Sequence, residues 1–550
     1  MQQLLTKQEE FSAEKGIKRS LFVKTVPLLL LGVLLVTAFA SIFVFADQYG
    51  ITIDEPNEDA YGQLVLNWYT SLGKDTSFMA YHPSSSIQKH GAIFDVIIAE
   101  AQRVFGQPWH TRAVVNGLAA FVGVVAIALC GLELGGWWAA LLAALSLWLY
   151  PRFFGAMFNN SKDIPFTSVT ILILWAVLIF VRQWEMKRKY LINSVLVGFL
   201  IGLADAVRIV ALFWYVILGL LVVGWWIHYG QRLVKEKQVM ANLHKQVVAT
   251  VIIAVVSLIT IIALWPYVAL SPVHNLFDAY MTMRNSPWSE AVPFAGQIYH
   301  AYNLPRYYSP GWLVVGSPPV VVIFVVIGGL FACITLIKSK FMDTKIVLIC
   351  LALMLPLGAL VFLRSTLYDG MRQFLFLVPP LILLGVYGFM SLFTFLGRRR
   401  QTIAVVGLVL LALGAQVQVI HDLVALHPYE YMYFSPLVGG VPGATGKYDM
   451  DYWGVCNKLS AEWLASNYTK YTYHPSPTVF APFTDELVTP YLPDMFQPVG
   501  DKDNPDFYIS ITRFGIDHSF PSYKIIHTES VQGYLACVVK VKPSSSSAIP

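Results

Sequence analysis

Residues 26–55 read VPLLLLGVLLVTAFASIFVFADQYGITIDE. The run 26–46 carries no charge, and within a few positions two adjacent carboxylates follow, Asp54 and Glu55. A bilayer's hydrocarbon core needs about 20 apolar residues per spanning helix. The stretch therefore predicts a membrane span that delivers an acidic pair to the interface. Further runs follow at 113–132, 136–150, 165–182, 191–205, 208–228, 246–266, 313–337, 345–363, 373–396 and 402–420. With the first, they predict a polytopic helical membrane protein of about 11 spans. The third and fifth runs are short, and the pair around Asp205 and Arg208 also reads as one broken helix or a re-entrant turn.

Composition agrees. The chain of 550 residues is 56% hydrophobic and only 13% charged, with mean hydropathy +0.59. Soluble domains carry roughly a quarter charged residues, so an ordinary soluble enzyme is excluded, as are disordered and collagen-like chains. The net charge of +5 is not a nucleic-acid signature, because the cations cluster at the ends of apolar runs. Lys15, Lys18, Arg19 and Lys24 precede the first run; Arg182, Lys187, Arg188 and Lys189 follow the fourth. Arg232, Lys235, Lys237 and Lys245, then Lys338, Lys340 and Lys345, then Arg398, Arg399 and Arg400 continue the pattern. Basic loops mark the cytoplasmic side, so 1–25 is predicted inside. An odd number of spans puts 421–550 outside. Val44-Phe45-Ala46 also resembles a signal cleavage site, but the run before it is longer than a usual signal core and ten more spans follow. No internal repeat is evident.

The predicted domains are thus a cytoplasmic segment 1–25, a membrane domain 26–420 with outer loops 47–112, 151–164, 267–312 and 364–372, and an extracytoplasmic domain 421–550. In the last, a helix-like stretch at 457–467 precedes strand-like runs at 478–483, 506–513, 523–528 and 534–541, which predict a small α/β domain. Residues Ser544 to Ser547 read as a disordered end. Of five cysteines, Cys130, Cys333 and Cys350 lie in apolar runs. Cys456 and Cys537 are the candidate disulfide, with two buried thiols as the other reading.

Candidate chemistry gathers on the outer side. Asp54 or Glu55 can act as general base on an attacking hydroxyl, or both, with Glu58 and Asp59, can simply solvate a loop. The segment Asn159-Asn160-Ser161-Lys162-Asp163-Ile164-Pro165-Phe166, with Arg152 before it, compresses charges between two spans. Ionisable groups at such depth face a cavity or pair with each other. Lys162 can meet a phosphate, and Asp163 can position it or hold a divalent cation; the bland reading is a Lys162–Asp163 ion pair. Asp205 and Arg208 suit a pair across one helical turn, or Arg208 can join Arg364 and Arg372, near Asp369, on a phosphate head group. In the loop 267–312, Tyr307, Tyr308 and Trp312 read as interfacial anchors, whereas Trp288, Tyr299 and Tyr302 can stack on a sugar or cover a lipid. His274, Glu290 and His300 lack metal-ligand spacing. No Gly-rich phosphate loop, nucleophile elbow or HExxH sequence is present.

Taken in order, these residues resemble the polyprenyl-phosphate-sugar-dependent membrane glycosyltransferases, the group of the protein O-mannosyltransferases and lipid A aminoarabinose transferases. The resemblance is carried by Ile53-Asp54-Glu55, Asn160 to Phe166, Leu304-Pro305-Arg306-Tyr307-Tyr308 and Tyr368-Asp369-Gly370-Met371-Arg372-Gln373-Phe374. In the tail, His427-Pro428-Tyr429-Glu430-Tyr431 and Asp451-Tyr452-Trp453-Gly454 look like a bacterial branch. It implies the C-type glycosyltransferase fold in a bacterial plasma membrane, a lipid-phosphate-linked sugar as donor, and a protein, lipid or glycan acceptor. Nucleic acid is not among the partners it implies. Asp54 matches the family's catalytic base, with Glu55 beside it, and Lys162, Arg208 and Arg372 are the expected phosphate ligands. No cofactor is required by this reading, although a divalent cation at Asp163 fits it. Gln373 departs from relatives that carry His there. The competing classes are a transporter or flippase, which would more often show two symmetric halves, and an envelope assembly protein anchored by its helices, for which eleven spans are excessive.

Overall fold

The computed structural model describes residues 24–82, 87–184, 189–284, 288 and 290–543. The basic residues Lys15, Lys18, Arg19, Lys187 and Arg188, and the serines 544–547, lie outside the described residues.

Among the described residues, nine helical segments are long and apolar enough to cross a membrane: Val26–Gln48, Pro108–Gly135, Asp163–Arg182, Ile209–Lys235, Val239–Leu264, Pro319–Lys338, Thr344–Phe362, Arg372–Arg398 and Thr402–Leu426. The two runs read as short form the shorter helices Trp137–Trp148 and Lys189–Asp205. At 1.5 Å per residue, the 12 residues of Trp137–Trp148 extend only about 18 Å, well short of the hydrocarbon thickness. The protein is an integral multi-pass helical membrane protein, as expected. One expected span is corrected: 313–337 is broken, with Tyr308–Val315 separated from Pro319–Lys338. Pro318 lacks the amide that a continuing helix needs, and Pro319 starts the next one. Small residues set the helix spacing. A Cβ on Gly198 would lie 2.7 Å from the Ile253 carbonyl, and one on Gly202 2.6 Å from that of Ser257. Lys189–Asp205 and Val239–Leu264 therefore touch backbone to backbone.

The segments expected on the outer side are folded. The first contains Glu55–Thr70 and Ile93–Phe105. The loop at 151–164 contains the short helix Pro151–Ala156, and that at 267–312 a hairpin of β1 (Ala291–Phe294) and β2 (Gln297–His300). The tail forms the expected α/β domain. Helix Cys456–Asn467 packs on a sheet of β3 (Thr478–Phe480), β4 (Gln497–Pro498), β5 (Phe507–Ile511), β6 (Lys524–Val531) and β7 (Tyr534–Val541), in the order β4-β3-β5-β7-β6. Strands β3, β4 and β5 are parallel, and β7 runs antiparallel to β5 and β6. Every residue of β5 is buried, as a central strand covered on both faces requires. Cys456 and Cys537 are disulfide-bonded and tie the helix start to β7.

This domain is seated on the bundle by the two tail motifs. The Tyr431 hydroxyl donates to Asp451, which also accepts from the Gly454 amide at 2.7 Å. Glu430 accepts from Tyr49 at 2.7 Å and meets His427 at 2.7 Å. Gly155 lets Pro151–Ala156 lie against the backbone of Tyr431. The Ile53 amide donates to the Trp453 carbonyl at 3.0 Å, so the residue before Asp54 is held by the tail domain.

Candidate functional site

Asp54 sits at the cap of helix Glu55–Thr70, whose first turn holds Pro56. Its carbonyl accepts from the Glu58 amide at 3.2 Å. The helix start favours carboxylates electrostatically. Consecutive residues there point about 100° apart, so Asp54 and Glu55 meet different surroundings.

Asp54 pairs with Arg372 and keeps 43% of its side chain exposed. Arg372 also holds Asp369 at 2.8 Å; Asp369 in turn pairs with Arg513, and Arg513 lies 3.7 Å from Asp449. This alternating chain runs from the base of the first outer segment into the tail domain. Burial raises the Asp54 pKa, but the charge and hydrogen bond of Arg372, with Lys162 and Arg513 behind it, outweigh that and hold it below the ordinary value. The carboxylate stays ionised at neutral pH. Burial pushes Asp449 up to about 7, with Arg513 pulling it back.

Glu55 is buried at 4% exposure and accepts from the Thr52 amide at 2.7 Å and hydroxyl at 3.0 Å. It shares Arg112 at 3.3 Å with Glu58 at 3.0 Å, Asp59 at 3.5 Å and Asp95 at 3.1 Å. Four carboxylates around one fully buried guanidinium cannot all ionise cheaply. Burial accordingly lifts Glu55 to about 8 against the pull of Arg112, and Asp95 to about 6. Lys162 contacts Glu58 at 2.9 Å. Burial lowers its pKa, yet Glu58, Asp95 and Asp54 more than restore it, so it stays charged. His90, buried beside Lys162 and Arg208, is pushed well below its usual value by burial and those two cations, and is neutral.

Asp163 pairs with Arg208 and accepts from the Asn160 amide nitrogen at 3.0 Å. Asn160 in turn accepts from the Asp163 backbone at 2.8 Å and caps that turn. This corrects two readings. Lys162 pairs with Glu58 and not with Asp163. Arg208 pairs with Asp163 and not with Asp205, because the helix ends at Asp205 and Arg208 is extended (φ −149°, ψ 123°), so helical spacing does not apply. Asp205 is fully buried with no cationic partner among the described residues; only the Ala211 amide faces it. Asp163 lies among a guanidinium and an amide, and no group of three or more His, Cys, Asp or Glu suited to a metal occurs among the described residues.

Ile171, Leu174, Phe213, Trp214, Phe376 and Pro380 line a narrow apolar crevice of about 10 Å³. Phe376 lies one turn past Arg372, and Phe213 stacks on it at 5.5 Å.

Arg364 is exposed, and no ion pair joins it to the site among the described residues. Tyr308 and Trp312, read as interfacial anchors, are buried at 2% and 0%. Trp312 and Phe434 each lie 4.9 Å from the Arg152 guanidinium. Tyr307 alone of the three is exposed. Trp288 stacks on Tyr368 at 4.2 Å beside Arg372. Glu58 and Asp59 are ion-paired and not loop solvators. Arg112, Asp95, His90, Arg513 and Asp449 went unread. Arg112 resembles a helix-end anchor, and Arg513 lies 144 positions from the Asp369 it meets; no local pattern marks either.

No known family profile matches the sequence, and no curated protein matches it. Solved structures do. ArnT from Cupriavidus metallidurans bound to undecaprenyl phosphate superposes with a TM-score of 0.50 at 14% identity, covering 92% of this chain and 97% of that one. The same protein without ligand gives 0.47 at 12% identity over 92% and 97%. The oligosaccharyltransferase AglB from Archaeoglobus fulgidus, with an inhibitory peptide and a dolichol-phosphate, gives 0.46 at 12% over 88% and 69%. The first match establishes the fold.

Proposed function

We propose that the protein is an inverting glycosyltransferase that moves a sugar from a polyprenyl-phosphate carrier to an acceptor hydroxyl at the outer face of the membrane. The observation that carries the reading is the ionised, partly exposed Asp54 set among the cations Arg372 and Lys162. The cations suit a lipid phosphate; the ArnT structure was solved with undecaprenyl phosphate. Asp54 takes the proton of the acceptor hydroxyl, whose oxygen forms the bond to the anomeric carbon. The bond from that carbon to the phosphate oxygen breaks, and polyprenyl phosphate leaves with the electron pair. Arg372, Lys162 and Arg208 stabilise the charge that grows on the leaving oxygen. Glu55 acts as a positioning residue, fixing Thr52 and Arg112 beneath Asp54. Asp163 orients Arg208, and no step is routed through a metal.

The orientation is part of the proposal. Arg182, Arg232, Lys235, Lys338 and Arg398 to Arg400 lie at the helix ends opposite the Asp54 site, which favours a cytoplasmic placement for them. The Cys456–Cys537 bond favours an oxidising compartment for the tail. A bacterial plasma membrane satisfies both.

The test is incubation of the purified protein with radiolabelled polyprenyl-phosphate sugars and a cell-envelope extract. Label should pass to an acceptor with release of polyprenyl phosphate, and fail to do so with Asp54→Asn. Movement of the labelled lipid across proteoliposomes without sugar transfer would instead establish a flippase.

A further inference from the structure

A cavity of about 70 Å³, partly open to solvent, is lined by Glu55 and not by Asp54. Three parts of the chain build it: the segment Ala46 to Glu55, the start of helix Pro108–Gly135 with Trp109 and His110, and the tail domain through Lys458 and Tyr491. Its remaining wall is Phe158 and Asn159, from the turn before Lys162.

Asn159 is 4% exposed, and neither its amide oxygen nor its nitrogen has a hydrogen-bond partner in the protein. A primary amide offers two donors and an acceptor of two bonds, and burying it unpaired is unfavourable. The charges around it are already matched. Glu55 lies 3.3 Å from Arg112, and His110 lies 2.6 Å from Asp47. Lys458 reaches the Asp47 carbonyl and lies 3.9 Å from Glu462. An ionic ligand would have to displace one of these pairs, whereas a neutral one need not. Tyr491 accepts from the Ile51 amide at 3.1 Å, which leaves its own hydroxyl proton to donate. Polar groups that both give and accept, set between the rings of Trp109, Phe158 and Tyr491, match an uncharged, hydroxyl-rich ring.

We propose that this cavity binds the sugar end of a glycan. Its role as the acceptor subsite, which makes the acceptor a glycan, rests on the glycosyltransferase reading; the binding itself does not. The arrangement gives the tail domain a task, since Lys458 and Tyr491 close the cavity only when that domain is docked.

The experiment is saturation-transfer NMR on the full chain in detergent, with methyl glycosides of mannose and glucose and with N-acetylserine amide as probes. Decaprenyl phosphate binding is measured on the same samples. A glycoside should receive saturation and the serine amide should not. Asn159→Leu should weaken glycoside binding about tenfold or more and leave decaprenyl phosphate bound, which also certifies its fold. Should Asn159→Leu lose both, Asn159→Ala, which removes the amide without adding a branched side chain, repeats the comparison with the same expectation. Absence of any glycoside signal in protein that binds decaprenyl phosphate would mean that the cavity holds only water, and overturns the proposal. So would equal glycoside binding by the wild type and the folded variant, or preference for the serine amide. Glycoside binding without decaprenyl phosphate binding would keep the cavity assignment and remove the donor reading.

Discussion

Asp54→Asn separates catalysis from folding because of how Asp54 is held. The substitution keeps the side chain's size and removes its charge. Arg372 loses one partner but keeps Asp369 at 2.8 Å, so no buried cation is orphaned. The lost pair is 43% exposed on its acidic side, and pairs of that kind contribute at most about 1 kcal/mol. The catalytic loss should be larger. A positioned base contributes roughly 10²- to 10⁴-fold, or about 3–5 kcal/mol of barrier. Thermal unfolding in detergent should therefore shift by a few degrees at most, while sugar transfer collapses. Donor affinity should hold or rise, since Arg372 no longer divides itself between Asp54 and the lipid phosphate. Because Arg372 keeps the Asp54 pKa below the ordinary carboxyl value, wild-type turnover should not fall through loss of this base until the pH drops below about 4. Transfer rate, decaprenyl phosphate affinity and melting temperature measured on one preparation decide the matter. Near-normal transfer in a folded variant would refute the assignment of Asp54 as base. Lost donor binding would show instead that Asp54 organises the phosphate site.

Lys162→Ala should raise the donor KM about 10- to 100-fold with the fold intact, since Glu58 keeps Arg112 and Ser161; Lys162→Arg should recover part of the loss, and an unchanged KM would leave Lys162 as a structural ion-pair partner. Arg513→Gln should lower kcat with little change in donor affinity, by releasing Asp369 and thereby Arg372, with partial rescue by Arg513→Lys; an unaltered rate would remove the tail domain from the site. Glu55→Gln should flatten the pH dependence of stability. Between the ordinary value of 4.5 and about 8 the unfolded chain has released the Glu55 proton and the folded chain keeps it, so wild-type stability declines as pH rises through that window, by at most about 5 kcal/mol. Melting curves at pH 5 and pH 8 test this, and an equal slope in both proteins would contradict it. An impermeant thiol reagent applied to intact cells should label a cysteine engineered at Asp503 and not one at Arg399; the reverse pattern would invert the topology and move the Asp54 site to the cytoplasmic face.

What could be read in the sequence, and what could not, divides along range. Apolar runs are local, so the eleven helices were legible, including the two too short to span upright. The break in 313–337 was also written locally, in Pro318 and Pro319, but hydropathy alone runs across it. Asp54, Lys162 and Arg372 stood out because a charge beside lipid is costly wherever it occurs. Their partners did not. Asp205 and Arg208 suggested a pair by helical spacing, and the helix stopped at Asp205, three residues short of Arg208. Tyr308 and Trp312 have the composition of a membrane belt and the surroundings of a core, and only the fold of the loop tells these apart. Arg513 meets Asp369 because the tail domain docks, a contact set by the motifs around Glu430 and Asp451, which themselves read as family marks without a visible physical task.

The two adjacent acids show why that docking matters to the chemistry. By sequence Asp54 and Glu55 are near-equivalent carboxylates one residue apart, and either could have been the base. The helix that starts between them turns one toward Arg372 and the other toward Thr52 and Arg112. Their proton affinities then move in opposite directions, Asp54 below its usual value and Glu55 up to about 8. Groups driven apart in this way mark distinct roles. The ionised one can accept a proton at neutral pH; the protonated one cannot. The split depends on the register of the segment Ile51 to Glu55, which the tail domain fixes through Tyr491 on Ile51 and Trp453 on Ile53. A bundle without its docked tail would keep both carboxylates and lose the geometry that makes them different.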